Sequence, residues 1–410
     1  MEQNKNQEVR NAIMLGILCA ISYLAVYFAR NILSVVTPQM VEGGLYTEEY
    51  IGKATSFYFV FYAFGQLING FIGDHIKAKY MLCGGLLFAG ITNSMFAHMG
   101  ANSDYALIAY GMTGFFLAMI YGPMTKVVAE SMDLKYATRC SLGYTFASLL
   151  GSPVAGVVAM FLSWQPVFDV GSISLIVTAI VCFIFFIAFE KKGIVKYNQY
   201  RRAKGTQGGV KILFKHHIVK FTLVSMLTGI VRTSVVFWMP TYFTNYLGYS
   251  PNDSAMIFTI ASLVISTASF ISVFVYERLG RKMNKTLLIM FVLSTLSFAL
   301  TYFVPAKIPN IALLSLAVLT GNGAATMLWS IYCPSLRDTG MTSSATGFLD
   351  FASYIAAAIS SLVFGNAVNV IGWGNLILVW VGLMFCGVLV ALPYDRIFKK
   401  NITEDKKVEV

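Results

Sequence analysis

Long apolar stretches, each about the length of one membrane-spanning helix, fill most of this 410-residue chain and are separated by polar or Gly/Pro-rich turns. A helix needs roughly 20 apolar residues to cross the hydrocarbon core of a bilayer. Twelve such stretches run approximately over residues 12–36, 51–73, 80–99, 104–126, 139–163, 167–189, 217–244, 253–276, 285–304, 308–333, 341–369 and 373–393. Because 57% of the residues are hydrophobic and 12% are charged, a soluble globular domain is excluded. The sequence therefore predicts an all-α integral membrane protein with twelve transmembrane helices.

Basic residues are distributed unevenly between the two sides of this predicted bundle. Most of the 30 Lys and Arg residues fall in the tails and in the loops on the side of the amino terminus. Because Lys and Arg accumulate in cytoplasmic loops, we expect both termini to be cytoplasmic, in a multi-pass protein of the cell (cytoplasmic) membrane. The net charge of +11 follows from this asymmetry, so the lipid bilayer is an expected partner and nucleic acid is not.

The chain divides into two related halves joined by a basic segment. The longest polar stretch, residues 190–216, is rich in charge, Gly and Gln and predicts a solvated cytoplasmic linker. It separates two pseudo-symmetric six-helix bundles, residues 12–189 and 217–393, with cytoplasmic tails at residues 1–11 and 394–410. Two such halves with a binding site at their interface are the architecture of many secondary transporters. Each chain would contain a complete pathway, so we expect a monomer.

One arginine lies alone inside an apolar stretch of each half. A proline follows each arginine at the same spacing, Pro38 after Arg30 and Pro240 after Arg232. A charge at the centre of a membrane helix costs about 2.5–3.5 kcal/mol on insertion scales, so a functional reason is expected for both. The planar guanidinium group can meet a phosphate or carboxylate through two parallel hydrogen bonds. The pair therefore predicts a cavity that binds a small, strongly polar anion.

Two facing arginines also favour exchange over one-way transport. Two positive charges about 6 Å apart repel by about 2.8 kcal/mol at an effective dielectric constant of about 20. An empty cavity would resist closing around them, whereas a bound anion would remove this repulsion. A structural alternative is that each arginine pairs with an acid and holds helices together. Asp350 is the clear intramembrane carboxylate, and it can neutralise only one of the two.

Three segments, at residues 27–40, 62–74 and 232–243, read YFARNILSVVTPQM, YAFGQLINGFIGD and RTSVVFWMPTYF. They resemble the organophosphate:phosphate antiporters of the major facilitator superfamily. The resemblance implies that superfamily's fold and the exchange of a glycerol phosphate or sugar phosphate for inorganic phosphate. In that family the two arginines hold the substrate phosphate, a role that carries over to Arg30 and Arg232. The tyrosines that match family cavity positions are Tyr23, Tyr27 and Tyr62.

The loops after the second and eighth stretches resemble the superfamily's cytoplasmic loop motif. Each has an acidic residue followed by basic residues, and the second copy is better formed than the first. The resemblance implies a cytoplasmic gate built from Asp74, Lys77, Glu277, Arg278 and Arg281.

Two positions depart from the antiporter pattern. Gln66 stands where carriers of phosphate esters usually have a lysine, and Ser148 stands near the place of a histidine in glycerol-phosphate carriers. The segment around Gln66 is also similar to the related anion:cation symporters, which take up organic acids with protons. A proton-coupled symporter of an organic carboxylate or sulfonate is therefore an alternative function. In that case Asp350 would carry the proton, and in the antiporter it would contact the substrate or act as a standing counter-ion.

The remaining polar and aromatic residues give weaker signals. Gln66 and Asn69 share one face of a helix and can either bind substrate or bridge helices. The further candidates for cavity lining are Asn69, Ser148, Trp238, Trp329 and Tyr354. A third functional hypothesis, from another class, is a receptor that binds a phosphate ester without transporting it.

Chemistry beyond binding and transport has no sequence signal. The phosphate-binding pattern GxxxxGK[ST] is absent from the sequence, and Ser, His and Asp are not grouped for hydrolysis. The six cysteines form no CxxC motif and have no His at metal-ligand spacing, so free buried thiols are expected. We therefore predict no enzymatic activity, no cofactor and no metal.

Overall fold

We analysed a computed structural model of the chain, which describes residues 2–72, 76–100, 103–132, 134–196, 211–336 and 342–392. The predicted gate residue Asp74, the central part of the predicted linker (residues 197–210) and the predicted tail 394–410 lie outside the described residues.

Helices occupy all twelve predicted stretches, and we number these segments α1 to α12. The first half contains α1 (Glu2–Glu42), α2 (Glu48–Ile72), α3 (Ala78–His98), α4 (Asp104–Leu117 and Tyr121–Ser131), α5 (Leu134–Leu149 and Gly151–Phe161) and α6 (Trp164–Lys191). The second half begins with a one-turn helix, Lys211–Lys215. It continues with α7 (Ile218–Gly229, Ile230–Val235 and Val236–Asn245), α8 (Pro251–Ser266 and Ala268–Arg278), α9 (Met283–Phe303) and α10 (Lys307–Thr326, Met327–Tyr332 and Cys333–Ser335). The last segment, Thr342–Ala391, holds α11 at residues 342–371 and α12 at residues 373–391.

Length and apolar character support the membrane assignment. Nine of the described helices are both long and apolar enough to cross a membrane, and one of these, Ala345–Ala391, spans α11 and α12. The two are separated at Gly372, whose φ of 73° is left-handed and ends the first helix. The segments outside this set are α2, which carries the polar residues Gln66 and Asn69, and α5, which is interrupted at Leu150. The prediction of an all-α protein with twelve membrane helices is confirmed.

Several helices differ in detail from the apolar stretches that predicted them. The first helix begins at Glu2 rather than near residue 12, because a helix can continue beyond the apolar part that hydropathy detects. The interruptions of α4 and α5 are each followed by a proline, Pro123 or Pro153, in the first turn of the next helical piece. A proline is tolerated there because a first-turn N–H has no partner within the helix.

The two halves repeat the same packing. In the first half α1 packs against α5, α2 against α4, and α3 against α4 and α6. In the second half α7 packs against α11, α8 against α10, and α9 against α10 and α12. The α7–α11 contact is fixed by buried hydroxyl groups, since Ser225 donates to the Leu349 carbonyl (2.6 Å) and Ser234 donates to the Ala357 carbonyl (2.8 Å). The expected pseudo-symmetry of two six-helix bundles is present.

Contacts between the halves close one end of the molecule. There α2 approaches α11 so closely that a Cβ on Gly52 would lie 3.2 Å from the Cα of Gly365. Nearby, the Asn245 amide donates to the Glu48 carboxylate at 2.9 Å.

The end that holds the amino terminus is looser. Tyr121 is 42% exposed there, and no atom of the described residues lies within 4 Å of a Cβ built on Gly347. Among the described residues, the space between the bundles is therefore more accessible at the amino-terminal end, called the open end below, than at the other, called the closed end.

Candidate functional site

Arg30 lies in the middle of α1 and points into the interface between the two halves. Its Nη1 donates a hydrogen bond to the hydroxyl of Tyr354 on α11 at 2.9 Å. Four aromatic rings surround its guanidinium carbon, with ring centroids 5.4 Å away for Tyr27, 6.0 Å for Phe59, 5.3 Å for Tyr62 and 5.1 Å for Tyr354. Rings at such distances stabilise a guanidinium group through their negative faces. The described partners of Arg30 are therefore neutral and do not cancel its positive charge.

Arg232 lies in α7 within a short π-helical stretch, Ile230–Val235. The Thr233 hydroxyl donates to the carbonyl of Gly229, the residue just before this stretch. A π-helical turn contains one more residue than an α-turn and redirects the side chains on either side of it. The guanidinium carbon of Arg232 lies 5.7 Å from the ring centroid of Trp329, which belongs to a second π-helical stretch, Met327–Tyr332, in α10.

The partner of Arg232 is charged, unlike those of Arg30. Its Nη2 lies 3.9 Å from a carboxylate oxygen of Asp350 on α11. This distance is too long for a hydrogen bond, and the Nη2 atom is buried with no hydrogen-bond partner among the described residues. The side chains are 32% exposed for Arg232 and 27% exposed for Asp350, so water can reach part of both. The ion pair offsets charge without forming a hydrogen bond from the Arg232 Nη2.

The two arginines share one site. The ring of Tyr354 lies within 6 Å of both guanidinium carbons, at 5.1 Å from Arg30 and 5.9 Å from Arg232. Both arginines also line one cavity of about 40 Å³ on the side of the closed end. This volume holds only a few water molecules. The cavity is lined by Arg30, Asn31, Ser34, Thr55, Tyr58, Phe59, Tyr110, Arg232, Thr233, Val236 and Phe237.

A series of tyrosine rings continues from Arg30 toward the open end. Tyr23 lies one turn before Tyr27, and their ring centroids are 4.9 Å apart. Tyr121 of α4 stacks on Tyr23 at 5.6 Å, and Tyr144 of α5 meets Tyr23 edge to face at 5.8 Å. These rings form an aromatic wall on the first half, while Trp329 and Asp350 face the site from the second half. Tyr121 is exposed, whereas Tyr23 and Tyr144 are buried behind it.

The structure brings most of the predicted site residues together. Arg30, Arg232, Tyr27, Tyr62, Tyr354, Trp329 and Asp350 surround the same space, and the rings of Tyr62 and Tyr354 are 4.5 Å apart. Gln66 lies one turn beyond Tyr62 on α2 and is partly buried. Ser148 is buried near the interruption of α5.

Two predicted cavity residues point elsewhere. The Asn69 amide faces α4, where it lies 3.5 Å from the Phe115 carbonyl. Trp238 is fully buried at the closed end, where its ring packs beside Gly365. Its neighbour Phe237 lines the arginine cavity in its place.

The predicted gate motif lies on the surface at the open end. Lys77, Glu277, Arg278 and Arg281 are exposed, and the Arg278 guanidinium carbon lies 5.0 Å from the ring centroid of Phe274. Their role in gating stays a prediction.

Several residues of the site were missed from the sequence. Phe59 and Tyr58 lie one turn before Tyr62 on the same face of α2, so helical spacing was a usable signal. Tyr121 and Tyr144 have no such signal, because they join the site only through the packing of α4 and α5 on α1.

No group of three or more His, Cys, Asp or Glu side chains suited to a metal ion occurs in the described parts of the chain. Five cysteines are buried and Cys386 is exposed, and all are free thiols.

Comparison with known proteins identifies the family. The model of the Major Facilitator Superfamily matches residues 19–361, which is most of the chain. The chain belongs to this superfamily. It is a membrane protein of the superfamily's transporter type, with the twelve-helix fold described above.

Individual relatives are distant but align over nearly the whole length. The chain is 23% identical to the glycerol-3-phosphate transporter of Bacillus subtilis (strain 168), over 95% of this chain and 93% of that protein. It is 21% identical to the phosphoglycerate transporter protein of Salmonella typhimurium, over 89% of this chain and 85% of that protein. Its fold matches that of a bacterial homologue of the human lysosomal transporter Spinster, solved in an inward-facing and unoccupied conformation. That match has a TM-score of 0.76, with 11% identity, and covers 95% of this chain and 98% of the other.

Proposed function

We propose that this protein exchanges an organophosphate, such as a glycerol phosphate or a sugar phosphate, for inorganic phosphate by alternating access. The observation that carries the proposal is the meeting of Arg30 and Arg232, one from each bundle, at one cavity beside a shared tyrosine. A phosphate group between them would receive charge-assisted hydrogen bonds from both halves of the protein.

This arrangement gives a physical reason for exchange. The empty site holds two arginines and one carboxylate, so closing the halves around it confines an uncompensated positive charge. A bound phosphate supplies the missing negative charge and lets the halves rock past one another. The two relatives above are named as transporters of phosphate esters, which supports the same substrate class.

The proposed orientation places both termini in the cytoplasm, in the cell membrane. The open end of the cavity then faces the cytoplasm. The protein works as a monomer, with bundles at residues 12–189 and 217–393 joined by the basic linker 190–216 and flanked by the tails 1–11 and 394–410. In this proposal the gate motif closes the cytoplasmic end when the substrate faces outward.

Reconstitution in liposomes tests the proposal. Vesicles loaded with unlabelled phosphate should take up labelled phosphate, and the uptake should require internal phosphate and be insensitive to a proton gradient. External glycerol 3-phosphate or glucose 6-phosphate should compete for this uptake. Absence of phosphate exchange by protein with a cooperative thermal unfolding transition would refute the antiporter.

A second function is favoured by one observation, the Asp350 carboxylate beside Arg232. An acid at this position can carry a proton, as a symporter of an organic carboxylate or sulfonate requires. Uptake driven by a proton gradient without internal phosphate, and lost in Asp350→Asn, would establish that function.

A further inference from the structure

We propose that Asp350 selects phosphate esters whose carbon skeleton is uncharged and bears hydroxyl groups, and that it excludes esters that carry a carboxylate. This inference rests on the proposed function and assigns the residue that decides between two kinds of organophosphate.

The geometry fixes where the carbon skeleton of a bound ester lies. When the phosphate of the ester lies between the arginines, the cavity on the side of the closed end has a volume of about 40 Å³. This volume is too small for a glycerol or sugar. The skeleton therefore extends toward the open end. Asp350 lies one helical turn before Tyr354 on α11 and so faces that direction from the second half. The exposed ring of Tyr121, stacked on the buried Tyr23, lies at that end in the first half.

Substrate binding changes the charge that the Asp350 carboxylate faces. Its carboxylate contacts Arg232 at 3.9 Å and makes no hydrogen bond to it. When a phosphate accepts hydrogen bonds from Arg232, that arginine's charge is shared with the substrate. The carboxylate then presents its lone pairs to the carbon skeleton, where substrate hydroxyl groups can donate to them.

A second negative charge on the substrate would meet no further cation in contact with the two arginines. Among the described residues in contact with the two guanidinium groups there are aromatic rings and Asp350, and no lysine or histidine. Gln66, one turn from Tyr62, is uncharged. A substrate carboxylate about 6 Å from Asp350, at an effective dielectric constant of about 20, would weaken binding by about 100-fold.

Glycerol 3-phosphate and 3-phosphoglycerate form a matched pair for the test. They share a three-carbon skeleton and a phosphate ester, and differ in a hydroxymethyl group replaced by a carboxylate. Each is measured as a competitor of labelled phosphate uptake into phosphate-loaded liposomes, and the quantity compared is the ratio of their half-inhibiting concentrations. The ratio is independent of how much active protein each preparation contains.

In the wild type, glycerol 3-phosphate should compete at a concentration on the order of 100-fold lower than 3-phosphoglycerate. In Asp350→Asn, which keeps hydrogen-bonding capacity and removes the charge, the ratio should fall to within about threefold of unity. Asp350→Ser, measured in parallel, should show the same loss. Asp104→Asn removes an exposed carboxylate at the start of α4 and should leave the wild-type ratio unchanged.

The other outcomes contradict either the role of Asp350 in selectivity or the proposed phosphate exchange. Equal competition by the two esters in the wild type overturns the inference while leaving phosphate exchange in place. A wild-type ratio that survives in Asp350→Asn or Asp350→Ser assigns the selectivity to another residue and also overturns it. Absence of phosphate exchange in the wild type refutes the proposed function itself, and the inference falls with it.

Discussion

Replacing Gly52 by valine should open the closed end of the protein. A Cβ at this position would lie 2.9 Å from the Ser361 carbonyl oxygen and 3.2 Å from the Cα of Gly365. Both are backbone atoms of α11, so the clash is relieved only if α2 and α11 separate. Overpacking of this kind costs about 1–3 kcal/mol. Because the penalty applies only to the closed arrangement, it shifts the population toward opening at this end by about 5- to 150-fold.

Pulsed electron paramagnetic resonance measures the shift directly. Spin labels at Leu45→Cys and Tyr246→Cys would report the distance between the halves, since both side chains are exposed and belong to opposite bundles. The exposed Cys386 is first replaced by serine. Gly52→Val should increase the population at the longer distance.

Gly84→Val is the matched control, because no part of the chain that the structure describes lies within 4 Å of a Cβ built on Gly84. An unchanged distance distribution in Gly52→Val, with folding retained, would refute the view that the Gly52 contact holds this end closed. The same increase in Gly84→Val would refute it equally.

Three further substitutions test other contacts. Tyr354→Phe removes the hydroxyl that accepts from Arg30 at 2.9 Å, so the phosphate concentration for half-maximal exchange should rise by about 10-fold, in line with about 1.5 kcal/mol for a hydrogen bond to a charged group. An unchanged value would show that this bond does not orient the arginine. In Tyr121→Ala, the half-inhibiting concentration of glycerol 3-phosphate, divided by that of unlabelled phosphate, should rise by about 5-fold, since a ring contact contributes about 1 kcal/mol. Tyr121→Phe keeps the ring and should retain most of this selectivity. Glu190→Gln leaves the buried Lys79 ammonium group without its 2.6 Å ionic partner and should destabilise the protein by about 1–3 kcal/mol, seen as a lower melting temperature, whereas Glu190→Asp should lower it less.

The fold was predictable because each membrane helix carries its own signal. An apolar stretch must form its hydrogen bonds internally in the bilayer, so hydropathy alone locates each helix. The ends of the helices were less predictable, since α1 continues to Glu2 through residues that hydropathy reads as a tail. The break between α11 and α12 depends on one residue, Gly372, in a left-handed conformation.

The centre of the site was predictable for a similar reason. A single arginine in an apolar stretch has a high insertion cost, which indicates a functional role. Because Arg30 and Arg232 lie at equivalent positions of the two halves, the sequence predicted that they would share one site. The facing partners were harder to assign. Phe237 lines the cavity and the adjacent Trp238 does not, because neighbouring residues on a helix point about 100° apart and α7 contains a π-helical stretch just before them. Such shifts in orientation depend on packing between helices far apart in sequence.

Arg30 and Arg232 together are expected to hold one anion. Calorimetric titration of the purified protein with inorganic phosphate tests this expectation. One phosphate should bind per chain. Binding should be weakened by about 10- to 150-fold in Arg30→Lys and also in Arg232→Lys, because lysine keeps the charge and loses one of two hydrogen bonds of about 1.5–3 kcal/mol. Arg10→Lys, the same change at an exposed position on α1, should bind phosphate as the wild type does. Wild-type affinity in either site variant would contradict the claim that the two arginines act on the same anion.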